Sequence, residues 1–480
     1  MYQNKLRILR IFLASIVGLF LLAYLIIQIP WVQNKLVKKA AQRLSENLGT
    51  EVQVGHVSFS LFNSLDVEKV LLRDQQKDTL LYTNALKLRI SDLIFSSTNP
   101  TIKYLGLEGT KIYLHRKSST WNYQFLLDYF GSDSTKKKSS QFDIKKIDLS
   151  HFDFKQDDEW NGEMMSLTAV NIIANFNVFN DTAIQIDQLI ANKPFYTILN
   201  KKGLNKNYVH VKHVRTPGKL YFNNSSTKIT GKNIEIKQGK FWIENGFDTP
   251  TPQFDGYHIR MHDLNAKIKE ASFVKDTIKA TVQLNVKERS GLHIQHLQTQ
   301  FKMTPSIMEL DKLLIKTNKS VLGPYYAMQY TDFVEDFYNY NYQVNMKAHF
   351  VNAFVASDDI AFFAPQLKNI HQKIHTSFSF NGTVNNFKAT NLTAQYGNSF
   401  IKGNFSMKGI PDMRHTQIDF NEVFAKTNYN DLVQWIPSIN LIKDLKLYQF
   451  TDEMRPGVQY GFKTANVSET KQGVTKIPDS

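Results

Sequence analysis

The chain contains no cysteine, and this absence removes several classes of protein at once. Disulfide frameworks, thiolate nucleophiles and cysteine-ligated metal sites are all excluded. The sequence also lacks a glycine-rich phosphate-binding loop, a Gly-x-Ser-x-Gly elbow and a His-Glu-x-x-His helix. We therefore predict a protein that is not an enzyme and that has no cofactor, no metal site and no catalytic residue.

Two other features could carry chemistry, and in both the ordinary structural explanation is favoured. The pairs His258/His262 and His371/His375 could each share one face of a strand or helix and bind a metal, but neither has an acidic residue at a recognised spacing. The acidic run 157–159 could supply paired carboxylates, but it adjoins Trp160-Asn161-Gly162, which is typical of a turn. A periplasmic hydrolase is therefore the least favoured hypothesis.

Positive charge is in excess, with 58 lysines and arginines against 43 acidic residues and a formal net charge of +15. The lysines are scattered through strand-like segments instead of clustering on one helix or patch, so nucleic acid is not a predicted partner. A position between anionic membranes is a simpler setting for this charge.

Long apolar runs are also scarce, and the one that stands out lies at the N-terminus. Residues 11–29 (IFLASIVGLFLLAYLIIQI) form 19 uncharged positions, long enough to cross a hydrocarbon core. The positive-inside rule then keeps the N-terminus cytoplasmic and the rest of the chain on the far side of the membrane. The predicted anchor residues are Ile11, Phe12, Leu19, Leu22 and Ile29, and the flanking residues that set the topology are Lys5, Arg7 and Arg10.

A cleaved signal peptide and a buried helix of a soluble core are the alternatives to this anchor. The apolar run is longer than the core of a usual signal peptide, and no small-x-small cleavage site follows it. A basic flank at the chain terminus also disfavours a buried helix. We predict a single-pass inner-membrane protein with its body in the periplasm.

The body divides by its hydrophobic period. Residues 32–49 repeat apolar side chains every three or four positions, which predicts an amphipathic helix that ends at Gly49 and caps the first end of a sheet. The period then changes to two, with a bulge expected near Gly55. The cleanest alternation is Tyr342, Val344, Met346, Ala348 and Phe350, and the pattern as a whole predicts an antiparallel sheet with one apolar face.

The predicted organisation has four parts: a stub and transmembrane anchor at 1–30, the capping helix at 31–49, the sheet at 50–450 and a disordered tail at 451–480. Short helices are expected at 121–130, 332–338 and 358–364. The polar segment 131–141 is expected to be a flexible linker.

Five segments, in order along the chain, resemble the AsmA-like superfamily and specifically the TamB (translocation and assembly module) proteins of Bacteroidota. They are PWVQNKL with LGTEV at 30–36 and 48–52, DQQKDTLLY at 74–82, WNYQF at 121–125, ERSGL with LLIKTNKS at 288–292 and 313–320, and DIAFFAP at 359–365. One short match is weak evidence, but five in order are specific. The likeness fades near residue 440, and the long C-terminal part of such proteins has no counterpart here.

The resemblance implies an elongated, curled, taco-like β-sheet whose apolar groove carries phospholipids between the inner and outer membranes. It also implies a second possibility, a scaffold that binds β-strands and assembles outer-membrane proteins with a β-barrel partner. From the residues alone, a closed β-sandwich remains the alternative to an open groove. If a groove forms, we predict that Leu284, Val286, Val344, Met346 and Phe350 line it.

Overall fold

The computed structural model describes residues 29–60, 64–90, 101–131, 143–180, 182–206, 219–223, 227–412, 415–427, 430, 431 and 434. Strands hold 61% of the structure and helices 13%, which confirms a mainly β protein. Within the described residues, no helix is both long and apolar enough to span a bilayer. The predicted anchor and flank at 1–28 and the predicted tail at 451–480 lie outside them, whereas Ile29 is described and exposed.

The five described helices are α1 (Pro30–Leu48), α2 (Gln124–Gly131), α3 (Phe333–Tyr338), α4 (Tyr340–Gln343) and α5 (Ser357–Ile360), with a 3-10 turn at Pro365–Leu367. Four of the five lie close to where the sequence predicts them, and α4 lies where the alternation predicts a strand. Pro30 occupies the first turn of α1, where its missing N–H costs no hydrogen bond, and Gly49 ends the helix with φ 65°.

Contacts among the described residues divide them into two units, one within 1–209 and 231–249 and the other within 210–230 and 250–480. The first unit holds β1 (Val52–Gln53), β2 (Val57–Ser60), β3 (Ser64–Arg73), β4 (Thr79–Ile90), β5 (Thr101–Glu108), β6 (Lys111–Arg116), β7 (Asp143–Ile144), β8 (Lys146–Asp158), β9 (Glu163–Phe179), β10 (Ala183–Asn192), β11 (Phe195–Asn200) and most of β12 (Lys228–Asn245). Helix α1 packs on β1 and β2, which both pair with β3.

The sheet of the first unit is mixed, so the prediction of a purely antiparallel sheet is wrong there. Strands β5 and β6 run parallel to β8, and β11 runs parallel to β12. Each parallel pair follows a long connection, from Arg116 to Asp143 and from Asn200 to Lys228. Such a crossover lets the chain return in the same direction, whereas a tight turn would reverse it.

The second unit is an antiparallel meander. Its strands are β13 (Ile259–Val274), β14 (Thr277–Glu288), β15 (His293–Thr304), β16 (Ile307–Lys316), β17 (Val321–Leu322), β18 (Pro324–Gln329), β19 (Asn345–Ala356), β20 (Lys373–Gly382), β21 (Asn386–Tyr396), β22 (Ser399–Lys408) and β23 (Gln417–Lys426). Each strand pairs with the next along the chain, and β17 and β18 act together as one strand interrupted at Gly323. The strand ends on one side of this sheet therefore carry the turns after β14 and β16, and the strand ends on the opposite side carry those after β13 and β15.

A line of bulges crosses the second unit at right angles to its strands. Lys312 in β16, Asn352 in β19, Asn391 in β21 and Glu422 in β23 all have φ near +50°. Each lies at a register shift with the neighbouring strand, and the shifts follow one another across the sheet. Because a bulge bends its strand and increases the local twist, an aligned series of bulges curls the whole sheet along one line.

These positive φ values predict that glycine will be tolerated on the bulge line. Lys312→Gly is expected to raise the free energy of unfolding by about 0.5 kcal/mol, since glycine adopts the left-handed region without the Cβ clash. Lys316→Gly, on the same strand with regular geometry, is expected to lower it by about 0.5–1 kcal/mol. Chemical denaturation of the full chain would compare the two, and equal losses would contradict the bulge argument.

Candidate functional site

The apolar face of the second unit is built from two rows of residues that are directly paired from strand to strand. The phenylalanine row is Ala280, Phe301, Leu310, Tyr326, Ala348, Phe380, Ala389, Phe405 and Phe420. The methionine row is Ile278, Met303, Met308, Met328, Met346, Gly382, Phe387, Met407 and Ile418. Each row crosses from β14 to β23 without a charged residue.

The intervening row projects from the opposite face and is polar. It runs Lys279, Lys302, Glu309, Ala327, Lys347, Asn381, Lys388, Ser406 and Asp419. The sheet of the second unit therefore has the one-sided character that the alternation predicts.

The apolar side chains are only partly removed from solvent. Among the described residues, Phe176 is the one buried phenylalanine, and Leu48, Leu80 and Leu313 are the buried leucines. Phe301, Phe380 and Phe405 of the phenylalanine row keep an intermediate exposure. A closed sandwich interdigitates the large side chains of two inner faces and buries them, whereas the large side chains of this face stay partly exposed.

Four of the five predicted groove residues lie on this face. Leu284 pairs with Ala266 and Leu297, Val286 pairs with Ile294, and Met346 and Phe350 are both on β19. Val344 differs: it is fully buried and follows α4 as its C-terminal cap, so it is not a strand residue. Tyr342 lies within α4 and is exposed, which places the start of the alternation at Asn345.

Helices α3 and α4 connect β18 to β19 and cover part of the apolar face. The Tyr340 hydroxyl lies 3.1 Å from that of Tyr326, 3.2 Å from the sulfur of Met346 and 3.6 Å from that of Met328. Burial raises the pKa of both tyrosines, so both remain neutral near pH 7. This covered part of the face is therefore uncharged.

A second covering segment, residues 250–258, precedes β13 and is here called the strap. The Asp255 carboxylate accepts hydrogen bonds from the backbone N–H of Thr251 and of Tyr257, at 3.1 and 3.0 Å. Burial alone would raise the pKa of Asp255, but these hydrogen bonds outweigh it and hold the pKa below its usual value. The Arg289 guanidinium fastens the strap by donating to the carbonyls of Thr251 and Gln253, at 2.6 and 3.2 Å.

The strap and α3 meet although they connect to strand ends on opposite sides of the sheet. Tyr257 directly precedes the start of β13, near the strand ends where Met261 pairs with Glu288. Helix α3 follows the opposite strand ends, where β18 ends and β19 begins. The Tyr257 hydroxyl donates to the Tyr338 carbonyl at 2.8 Å, and the two rings lie 5.2 Å apart. The 16 residues of β13 span about 50 Å between these two sides, so the strap and α3 reach toward each other from opposite strand ends.

The contact between Tyr257 and Tyr338 can be tested by cross-linking, because the chain has no native cysteine. Tyr257→Cys with Tyr338→Cys is expected to react efficiently with a short bismaleimide and give an intramolecular product. The matched pair is Tyr257→Cys with Val274→Cys, since Val274 is exposed and lies at the far end of β13. Peptide mapping would read the yields, and equal yields from the two pairs would contradict the contact between the strap and α3.

A polar cluster in the first unit is the one group of described residues with the ligand types of a metal site: Asp74 and His115, which are buried, and Asp78, which is exposed. The Asp74 carboxylate is fully buried and already accepts hydrogen bonds from the backbone N–H of Gln76 and of Asp78. Its second oxygen lies 3.1 Å from both His115 Nε2 and Asn122 Nδ2. Since these donors occupy both oxygens, we interpret the Asp74 cluster as a structural junction between the β3–β4 turn and the end of β6.

The segments that carry the family resemblance meet in two places. In the first unit, Thr50 donates its hydroxyl to the Asp74 carbonyl at 2.8 Å, and Asn122 donates to the Asp74 carboxylate, so three segments share one junction. In the second unit, Asp359 accepts from the Thr317 hydroxyl at 2.5 Å and from the Lys319 N–H at 3.1 Å.

The second junction also reaches the turn after β14. Asn318 donates to the Gly291 carbonyl at 3.3 Å, and its own side-chain oxygen accepts from the His293 N–H at 2.7 Å. The two stretches of the fourth segment, 288–292 and 313–320, thus meet the fifth segment, 359–365, at one side of the sheet, where Arg289 also holds the strap.

A scan against protein-family models gives no match, and a search of curated proteins gives none either. The reasoning from sequence missed both junctions and the strap. The sequence pattern that could have predicted the first junction is a short polar turn with Asp74 and Asp78 at its two ends. Of the second histidine pair, His371 contacts the Asp358 carboxylate and His375 stacks on Phe354.

Proposed function

We propose that this chain is an inner-membrane-anchored periplasmic protein whose β-groove conducts phospholipids between the inner and outer membranes. The observation that supports the proposal best is the pair of uncharged rows that cross the second unit from β14 to β23 with their side chains half-exposed. An acyl chain lying along such a wall would gain about 0.8 kcal/mol for each methylene removed from water.

The continuity of the apolar wall favours movement of a lipid along the groove over storage of the lipid at one position. Because every strand offers similar aliphatic and aromatic groups to the groove, successive positions hold an acyl chain with similar free energy and no deep trap stops it. The charged headgroup stays at the mouth of the groove, in water. The strap and α3 then limit the width of the mouth where they meet.

The membrane anchor of this proposal rests on the apolar run at 11–29 and its basic flank. The first described residues fit a position at the membrane surface. Ile29 and Trp31 are exposed, and the Lys35 ammonium lies 5.0 Å from the centre of the Trp31 ring. Tryptophan and lysine are the residue types enriched at that interface.

Native mass spectrometry of the full chain, purified from membranes in mild detergent, tests the proposal. Several co-purifying phospholipids per chain are expected, with their identity read after lipid extraction. A folded chain that carries no phospholipid under conditions where a known lipid-binding control retains its own would overturn it.

A scaffold for outer-membrane protein assembly is the alternative, and one observation favours it. Within the described residues, β23 pairs only with β22, so its other edge can accept a strand by β-augmentation. Such a scaffold would bind unfolded barrel segments with the same affinity before and after delipidation, whereas a lipid conduit would not need this binding. The partner would be an outer-membrane β-barrel.

A further inference from the structure

Methionine is concentrated on one row of one sheet. The chain has 11 methionines, and five of them, Met303, Met308, Met328, Met346 and Met407, lie on the methionine row. The neighbouring phenylalanine row has the same exposure and crosses the same strands but contains none. A need for apolar bulk alone does not explain this difference between the rows.

The first four methionines are consecutive members of the row. Met303 pairs with Met308, Met308 with Met328, and Met328 with Met346. Directly opposed residues in antiparallel strands have Cβ atoms about 5 Å apart, so these thioethers form a continuous line. Met346 is 8% exposed beneath Tyr340, whereas Met303, Met308, Met328 and Met407 keep intermediate exposure.

We infer that the methionine row is a site of reversible oxidation that controls whether the groove holds an apolar ligand. The inference rests on the proposed function, because it takes the groove's ligand to be a phospholipid acyl chain. A two-electron oxidant such as hypochlorous acid transfers its oxygen to the thioether sulfur. The sulfur is oxidised to a sulfoxide, the chlorine is reduced to chloride and a proton is released.

Sulfoxides on the methionine row would lie where the acyl chain binds. A sulfoxide is a strong hydrogen-bond acceptor, and an acyl chain has no donor to offer it. Covering it with an acyl chain therefore strips it of water without compensation, which disfavours binding. Four sulfoxides in one line would interrupt the track across several strands, and sulfoxide reductases would restore it, since this oxidation step is reversible.

The test uses the full chain in detergent with and without a low dose of hypochlorous acid, followed by peptide mapping and native mass spectrometry. We expect sulfoxide at Met303, Met308, Met328 and Met407 before Met346, together with a loss of about tenfold in phospholipid per chain. Treatment with methionine sulfoxide reductases is expected to restore the lipid.

A matched pair of variants separates the row from other methionines. Leucine at Met303, Met308, Met328 and Met407 keeps the volume and removes the thioether, so the lipid that this variant holds without oxidant should be the same after the oxidant dose. The control variant Met164→Leu with Met165→Leu, on β9 of the first unit, should lose lipid as the unsubstituted chain does.

Two results would overturn the inference: full oxidation of the row with unchanged lipid, or equal loss of lipid in the four-leucine variant. An untreated folded chain that carries no phospholipid would overturn the proposed function instead, so the two failures are distinguishable.

Discussion

Replacing Phe380 with aspartate is expected to slow phospholipid transfer by the full chain strongly. Phe380 lies in the middle of the phenylalanine row, between Ala348 and Ala389, and its ring packs 4.6 Å from that of Phe387. A carboxylate at this position would face the acyl chain with no cationic partner in the row. The carboxylate would lose water when an acyl chain covers it. If about 2 kcal/mol of this desolvation cost stays uncompensated, passage of the lipid slows by about thirtyfold.

The matched control is the next residue on the same strand. Asn381 points to the polar face, where it pairs with Lys347 and Lys388, so Asn381→Asp adds the same charge between two cations. Transfer of a fluorescent phospholipid between vesicles should be unchanged in this variant. Phe380→Ala removes the ring without adding charge and is expected to fall between the two, with circular dichroism confirming that all three variants fold.

Equal rates from Phe380→Asp and Asn381→Asp would mean that lipid does not travel along this face. If both variants instead lost lipid transfer and strand content together, the loss of transfer would reflect misfolding of the chain. Leu310→Asp, on the same row in β16, would then repeat the comparison at a second position.

Periodicity predicts the strands of this chain well because each strand has one apolar and one polar face. It fails at Tyr342 and Val344, where the alternation continues from Met346 but the backbone forms α4. An alternating pattern over a few residues does not exclude a short helix, and here α4 is stabilised by contacts of Tyr340 with Tyr326 and Met346 that lie far from any local signal.

Register across strands is the second limit. The methionine row exists only because Met303, Met308, Met328 and Met346 come into line, and a shift of one residue in any pairing would move a side chain to the other face. No single strand shows more than one or two of these methionines. The sequence therefore predicts an apolar face but not which residue types are grouped on it.

The bulge line has an even weaker signal. Glycine is the usual indicator of a positive φ, but Lys312, Asn352, Asn391 and Glu422 occupy these positions, and only asparagine has a known tolerance for them. Their conformation is imposed by the strands on either side. The position of the bulges is thus a tertiary property.

The junctions lie at the ends of strands, where turns are held by hydrogen bonds to one another. The Asp74 cluster in the first unit and the Thr317–Asp359 contact in the second do this with buried side chains. Their removal should therefore cost more than the loss of any one apolar residue on the half-exposed face.

Asp74→Ala is accordingly expected to destabilise the first unit by about 3–5 kcal/mol. The substitution removes the acceptor of the buried Asn122 amide and His115 Nε2, and also that of the N–H groups of Gln76 and Asp78 in an exposed turn. Losses of this size are typical when one member of a buried, hydrogen-bonded polar network is removed. Denaturant titration of the full chain should show an early transition, with proteolysis locating the opened segment between β3 and β6.

Asp78→Ala is the control within the same turn. Asp78 is exposed, and its carboxylate lies 3.9 Å from His115, so its loss should cost less than about 1 kcal/mol. If Asp74→Ala were as mild as Asp78→Ala, the junction would not be structural. A metal ion held by Asp74, Asp78 and His115 predicts a different pattern, in which both substitutions and a chelator destabilise the first unit to a similar extent. The pair of variants therefore decides between a hydrogen-bonded junction and a metal site.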